Sequence, residues 1–162
     1  MSPAVYVQTN DATGNEVIEF SRTEDGALTP QGRYSTGGRG TGSPHLASAG
    51  SVVLSDDGQW LLVVNAGSDD LSLFTVQPDG PRLADRAGSG GSKPTSVAVS
   101  GALVYVLNNG TPSISGFHLA DGKLVGGGEP PPSRPRRVAR VGELRAGQAG
   151  PRGCTLVAWR AW

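Results

Sequence analysis

The chain has 162 residues, with 14 Lys and Arg against 14 Asp and Glu. That is enough for one domain with a moderate core, without the bulk charge that points to nucleic acid or a membrane surface. Its 25 glycines and 12 prolines, beside 36% hydrophobic residues, speak for many turns and short strands rather than long helices. The lone Cys154 excludes an internal disulfide framework and a cysteine-based zinc site, and no apolar run approaches the roughly 20 residues of a membrane span.

The N-terminus, Met1-Ser2-Pro3-Ala4-Val5-Tyr6-Val7, enters a β pattern at once, with neither a basic start nor an apolar signal core. The cytoplasm is therefore the expected compartment. The first unit reads Val5 to Asn10, then Val17-Ile18-Glu19-Phe20, then Asp25-Gly26-Ala27-Leu28. It begins on what corresponds to a second strand and lacks an innermost one.

The second unit is the most complete. Ser51 to Ser55 reads as an innermost strand, and Asp56-Asp57-Gly58-Gln59 as a tight turn in which Gly58 supplies a positive φ. Trp60 to Val64 forms the second strand, closed by Asn65. Leu71 to Val76 is the third, and a fourth runs from about Arg82 to Ala87. The third unit repeats the order with Ser96 to Ser100, a turn at Gly101, Val104 to Asn108, Ile114-Ser115-Gly116-Phe117 and Asp121-Gly122-Lys123-Leu124. The buried strands are near-continuous apolar runs, as sheets packed on both faces require. Glycine-rich stretches at 37–42 and 88–91 fall between units, where a crossing loop is needed.

Laid on one another, the three units place Asn10, Asn65 and Asn108 in register, 55 and 43 residues apart. Short strands recurring at about 40–50 residues are the mark of a β-propeller. The expected fold is all-β: an incomplete propeller of between two and three four-stranded antiparallel blades over residues 1–124, with blades near 4–42, 43–91 and 92–124. Its open strand edges make self-association an expected liability.

Beyond Leu124 the pattern lapses into an irregular tail, 125–162. The first 124 residues carry seven Lys and Arg against twelve Asp and Glu, and the tail carries seven Arg against two Glu. Ala, Arg, Gly and Pro, which share GC-rich codons, dominate the tail. It reads as an out-of-frame translation of a GC-rich gene or as a basic, disordered interaction segment. It offers no strand that would seal a ring.

The stretch Gly50 to Ser68, together with Gly90 to Val97, Leu103 to Asn108 and Ile114 to Phe117, resembles the seven-bladed propeller lactonases, which include propeller-type 6-phosphogluconolactonase and carboxymuconate-cyclase-like proteins. The resemblance covers roughly residues 4–124. It implies a relative of about seven units that opens or closes lactone rings of sugar or muconate acids. No cofactor or metal is expected. Its acid–base and anion-binding residues lie mostly in later blades, so no catalytic residue carries over to this chain. The implied partner of the full-length relative is a small lactone or sugar acid.

Lactone hydrolysis needs a base for water and donors for the carbonyl oxygen and the substrate anion. His45 and Lys93 on inter-blade segments, and Asn10, Asn65 and Asn108 at strand ends, are the candidates on the face where propellers bind ligands. The competing reading is structural: an asparagine closing its own turn, a solvated loop histidine. His118, beside Phe117, is expected to face outward. Gly88 to Pro94 lacks the Gly-Lys-Ser/Thr ending of a phosphate loop. The paired aspartates at 56–57 and 69–70 sit in turns without calcium-loop spacing, and Arg134-Pro135-Arg136-Arg137 lacks interleaved aromatics. A non-catalytic propeller serving as a binding or scaffold protein is the alternative to a lactonase.

Overall fold

A computed structural model describes residues 4–43 and 48–128, and His45 and the segment from Glu129 onward lie outside the described residues. Those residues form three antiparallel sheets and no helix. None of the described elements is therefore a helix long and apolar enough to cross a membrane.

The first sheet contains β1 (Ala4–Gln8), β2 (Glu16–Arg22) and β3 (Leu28–Ser35) in sequence order. The second contains β4 (Val52–Leu54), β5 (Trp60–Asn65), β6 (Asp70–Gln77) and β7 (Gly80–Gly88), also in sequence order. The third repeats that order with β8 (Pro94–Ser100), β9 (Leu103–Asn108), β10 (Ser113–Ala120) and β11 (Lys123–Gly128). Each is a meander of hairpins. Gly58 at φ 72° and Gly101 at φ 55° supply the left-handed backbone that the β4–β5 and β8–β9 turns need. Among the described residues this is an incomplete propeller, its first sheet holding three strands where the other two hold four.

Three details depart from the sequence reading. The last strand runs past Leu124 to Gly128, because Val125 pairs with His118 and Gly126 with Phe117. The glycines there look like linker but suit the bulge between Gly116 and Phe117. The first blade is shifted by one residue: Thr9, not Asn10, takes the ladder position of Asn65. Gln8 pairs with Val17 as Val64 pairs with Leu71, and the Thr9 amide donates to the Glu16 carbonyl at 3.0 Å. Asn10 instead leaves the strand at φ 54° and opens a longer turn. Finally, β9 alternates between buried and exposed, whereas β5 is buried from Leu61 to Asn65.

Packing explains that alternation. Leu61, Val63 and Phe74 of the second sheet meet Val17, Tyr6 and Tyr34 of the first. The opposite face of the second sheet, Leu62, Val64, Leu71 and Leu73, meets Val97, Val104, Val106, Phe117 and Leu124 of the third. Among the described residues the middle sheet is thus covered on both faces, each buried side chain contributing about 1.5–3 kcal/mol, and the third sheet on one.

The core between the first two sheets contains a polar device. The Tyr34 hydroxyl donates to Glu19 Oε2 at 2.9 Å, and the Tyr6 hydroxyl lies 3.5 Å from Oε1. Burial, and then the Glu19 charge, push Tyr6 up to about 12, and burial also raises Tyr34. A hydroxyl whose folded pKa exceeds its unfolded value of 10.0 stabilises the fold fully below that value, and this stability is lost as pH rises through the folded value. Denaturation midpoints should therefore fall between about pH 10 and 12, and Tyr6→Phe should flatten the decline. Tyrosinate absorbance, read on single-tyrosine variants, showing Tyr6 and Tyr34 ionising at the ordinary value of 10.0 would refute this packing.

Candidate functional site

One end of the array gathers the β1–β2, β5–β6 and β9–β10 turns with the segments that cross from one blade to the next. Here the chain builds the same joint twice. Gly67 donates its amide to Arg39 O at 2.9 Å and Gly110 to Ser92 O at 2.9 Å. In return, the Arg39 amide donates to Ser68 Oγ and the Ser92 amide to Thr111 Oγ1, both at 2.9 Å. The sequence carries this as Asn65-Ala66-Gly67-Ser68 and Asn108-Asn109-Gly110-Thr111, docked against Thr36-Gly37-Gly38-Arg39 and Ser89-Gly90-Gly91-Ser92.

The strand-end asparagines stand at the centre of these joints. Asn65 is fully buried. Its Nδ2 donates to Asp70 Oδ1 at 2.6 Å and Ser72 Oγ at 2.8 Å, both in its own blade. Its Oδ1 accepts from Asn15 Nδ2 and Thr36 Oγ1 of the first blade, each at 2.9 Å. An asparagine amide offers two donors and two acceptor positions, and all four are filled. The amide lies flat against Gly38, where a Cβ would come within 2.4 Å of Asn65 Cγ.

Asn108 occupies the equivalent position, against Gly91. Its Nδ2 donates to Ser115 Oγ at 3.1 Å and to Ser89 O at 3.2 Å, but its buried Oδ1 has no partner. The chemistry differs because Asp69 and Ser89 stand where the first joint has Asn15 and Thr36. Asp69 has no N–H to give and accepts from the Lys93 amide at 2.6 Å, while the Ser89 hydroxyl turns to Gly91 O at 3.0 Å. Asn10 is also buried, yet it serves its own blade: Nδ2 donates to Thr41 Oγ1 at 2.8 Å, and Oδ1 accepts from the Thr41 amide at 2.9 Å.

Lys93 holds a left-handed backbone at φ 50°, and its side chain is exposed on the crossing segment. The structure therefore brings Asn65, Asn108 and Lys93 to the same end of the array without converging them on one point, and His118 is exposed on β10. No group of three or more His, Cys, Asp or Glu among the described residues could hold a metal.

Sequence reading missed the cleft beside the first joint. It is open and about 420 Å³, lined by Thr13, Ser35, Ser68, Arg39 and Arg86. Arg86 bonds the Gly37 carbonyl and lies 3.6 Å from Asp70 Oδ2, whereas Arg39 extends into solvent. Arg39, with the Ser35 and Ser68 hydroxyls beside it, makes a surface suited to a carboxylate or phosphate, while the Thr13 hydroxyl is given to Asp11 Oδ1 at 2.7 Å. The two arginines lie 47 residues apart, and no local motif links them.

A family model for lactonase, 7-bladed β-propeller, matches residues 6–131. Among solved structures, a protein from Lactobacillus plantarum is 24% identical with a TM-score of 0.56, covering 77% of this chain and 42% of its own. A Bacteroides fragilis protein assigned as a 6-phosphogluconolactonase is 18% identical with a TM-score of 0.51, covering 74% and 40%. This chain thus spans less than half the length of those structures, and at such identities they establish the fold alone. No curated protein matches the chain.

Proposed function

Because the chain belongs to the seven-bladed β-propeller lactonase family, we propose that it supplies three blades of a lactonase-type propeller. The parent activity is hydrolysis of a sugar-acid lactone such as 6-phosphogluconolactone, and this chain alone is inactive in the cytoplasm. The observation that supports inactivity is how the candidate donors are used. A lactone-opening site needs donors free to meet the developing oxyanion, yet every hydrogen-bonding position of the Asn65 amide is taken by the joint between blades. Asn10 is likewise engaged with Thr41. These residues shape the rim of a propeller, and the acid–base pair belongs to blades beyond these three.

A second reading, a non-catalytic binding or scaffold propeller, is favoured by the cleft at Arg39 and Arg86, which offers donors to an anion. One experiment separates them. The chain is assayed with 6-phosphogluconolactone, then titrated with the product, 6-phosphogluconate. We expect hydrolysis at the spontaneous rate; turnover above that background refutes the inactivity. Saturable binding of the product that is lost in Arg39→Ala would establish the binding reading.

A further inference from the structure

The middle sheet shows what each outer face of the array accepts. Its β5–β6 face, Leu62, Val64 and Leu71, is covered by the third sheet and wholly inaccessible. The strand registers place Tyr105, Leu107 and Ile114 at the same positions of the third sheet: Leu107 pairs with Ile114 as Val64 pairs with Leu71, and Tyr105 with Gly116 as Leu62 with Leu73. These three are 45%, 47% and 50% exposed. The outer face of the third sheet is therefore a blade-binding face with nothing on it among the described residues.

The first sheet presents the complementary surface. The side chains with which the third sheet covers the second include Val104, Val106 and Phe117. By register, Val5, Val7 and Phe20 hold the equivalent positions on the outer face of the first sheet: Val5 pairs with Phe20 as Val104 pairs with Phe117. The residue types are the same, Val, Val and Phe. Val7 is exposed, and Val5, Ile18 and Phe20 are half-buried. The rim repeats too: Arg33 pairs with Ile18 as Arg86 pairs with Ser72, and it ion-pairs with Glu16 at 2.6 Å where Arg86 faces Asp70.

We infer that a second copy of this chain occupies these faces head to tail, the first sheet of one copy seated on the third sheet of the next as the third seats on the second within the chain. The association joins sheet faces rather than strand edges. Because the contact is heterologous, it propagates into a ring where the rotation closes and an open chain where it does not. Continuity with an interface already in the molecule names the occupant: each exposed face carries, at matching register positions, apolar residues like those that pack together between the second and third sheets.

The test is light scattering with size exclusion on the 162-residue chain and on two variants, Val7→Arg and Leu107→Arg, each blocking one face at an exposed position. The wild type should elute as two or more chains, and each variant alone as a monomer. Mixed in equal amounts, the variants should form a one-to-one dimer, since each retains the face the other lacks. A monomeric wild type overturns the inference. So does either variant associating by itself, which would mean that one kind of face binds its own kind. Circular dichroism checks that both variants keep the sheet structure. Should either lose it, Ile18→Lys and Ile114→Lys replace the pair, with the same outcomes decisive.

Discussion

Asn65→Ala should destabilise the chain by about 3 kcal/mol or more, and Asn108→Ala by only about 1 kcal/mol. The two asparagines hold the same ladder position against the same kind of crossing glycine. What differs is how many partners each leaves stranded. Removing the Asn65 amide deprives Asp70 and Ser72 of a donor, and Asn15 and Thr36 of an acceptor, all in buried surroundings. Each buried polar group left unpaired costs about 1–3 kcal/mol, partly recovered where water enters. Asn108 loses only donor contacts, and its truncation also removes a buried carbonyl oxygen that has no partner. Small domains have only about 5–15 kcal/mol in total, so the first substitution should approach loss of folding at ambient temperature. Urea midpoints for the two variants measure the difference; equal shifts would mean that the joint between the first two blades is no stronger than the next.

The repeat was legible because it rests on local signals. Each third strand ends its apolar run on a phenylalanine, Phe20, Phe74 and Phe117, and each carries its bulge just before that residue. Turn glycines mark the hairpins. The one-residue slip at Asn10 has a physical cause. The first blade's turn holds six residues between Thr9 and Glu16, where the second holds four between Asn65 and Asp70, and a threonine closes the strand, so the nearest asparagine is a decoy. The exposed alternation of β9 was not legible, since Leu103 to Leu107 is as apolar as Trp60 to Val64. Burial there depends on what stands beyond the sheet.

The candidate site was half visible for a related reason. Sequence singled out the asparagines at the strand ends but not the residues they join. Asn15 and Thr36 lie 50 and 29 positions from Asn65, beyond any local pattern. A signal did exist in the paired recurrence of Asn-x-Gly-Ser/Thr and Ser/Thr-Gly-Gly. Its meaning needs the crossing geometry, in which each glycine of the pair allows a backbone or an amide to approach.

The rigidity of that crossing is tested by Gly67→Ala, which should cost about 3 kcal/mol, at the upper end for overpacking. A Cβ at Gly67 would lie 1.9 Å from the Gly40 carbonyl oxygen and 2.7 Å from its carbon. Both are backbone atoms of the neighbouring crossing segment, so no side chain can swing aside. Relief requires the two segments to separate, which breaks the bonds from Gly67 N to Arg39 O and from Arg39 N to Ser68 Oγ. Gly67 does not hold a positive φ, so any loss is steric rather than conformational. At Gly110, the first atom a Cβ meets is the Ser92 hydroxyl at 2.5 Å, which can rotate, with the Ser92 carbonyl at 3.0 Å. Gly110→Ala should therefore be milder. At Gly88 on β7, a Cβ meets nothing within 4 Å, and Ala there should be neutral or slightly stabilising, by up to about 1 kcal/mol. The expected order of damage is Gly67, then Gly110, then Gly88, read from urea midpoints at constant slope. A Gly67→Ala variant as stable as Gly88→Ala would mean that the crossing segment yields easily, and that the blades are held by their apolar faces alone.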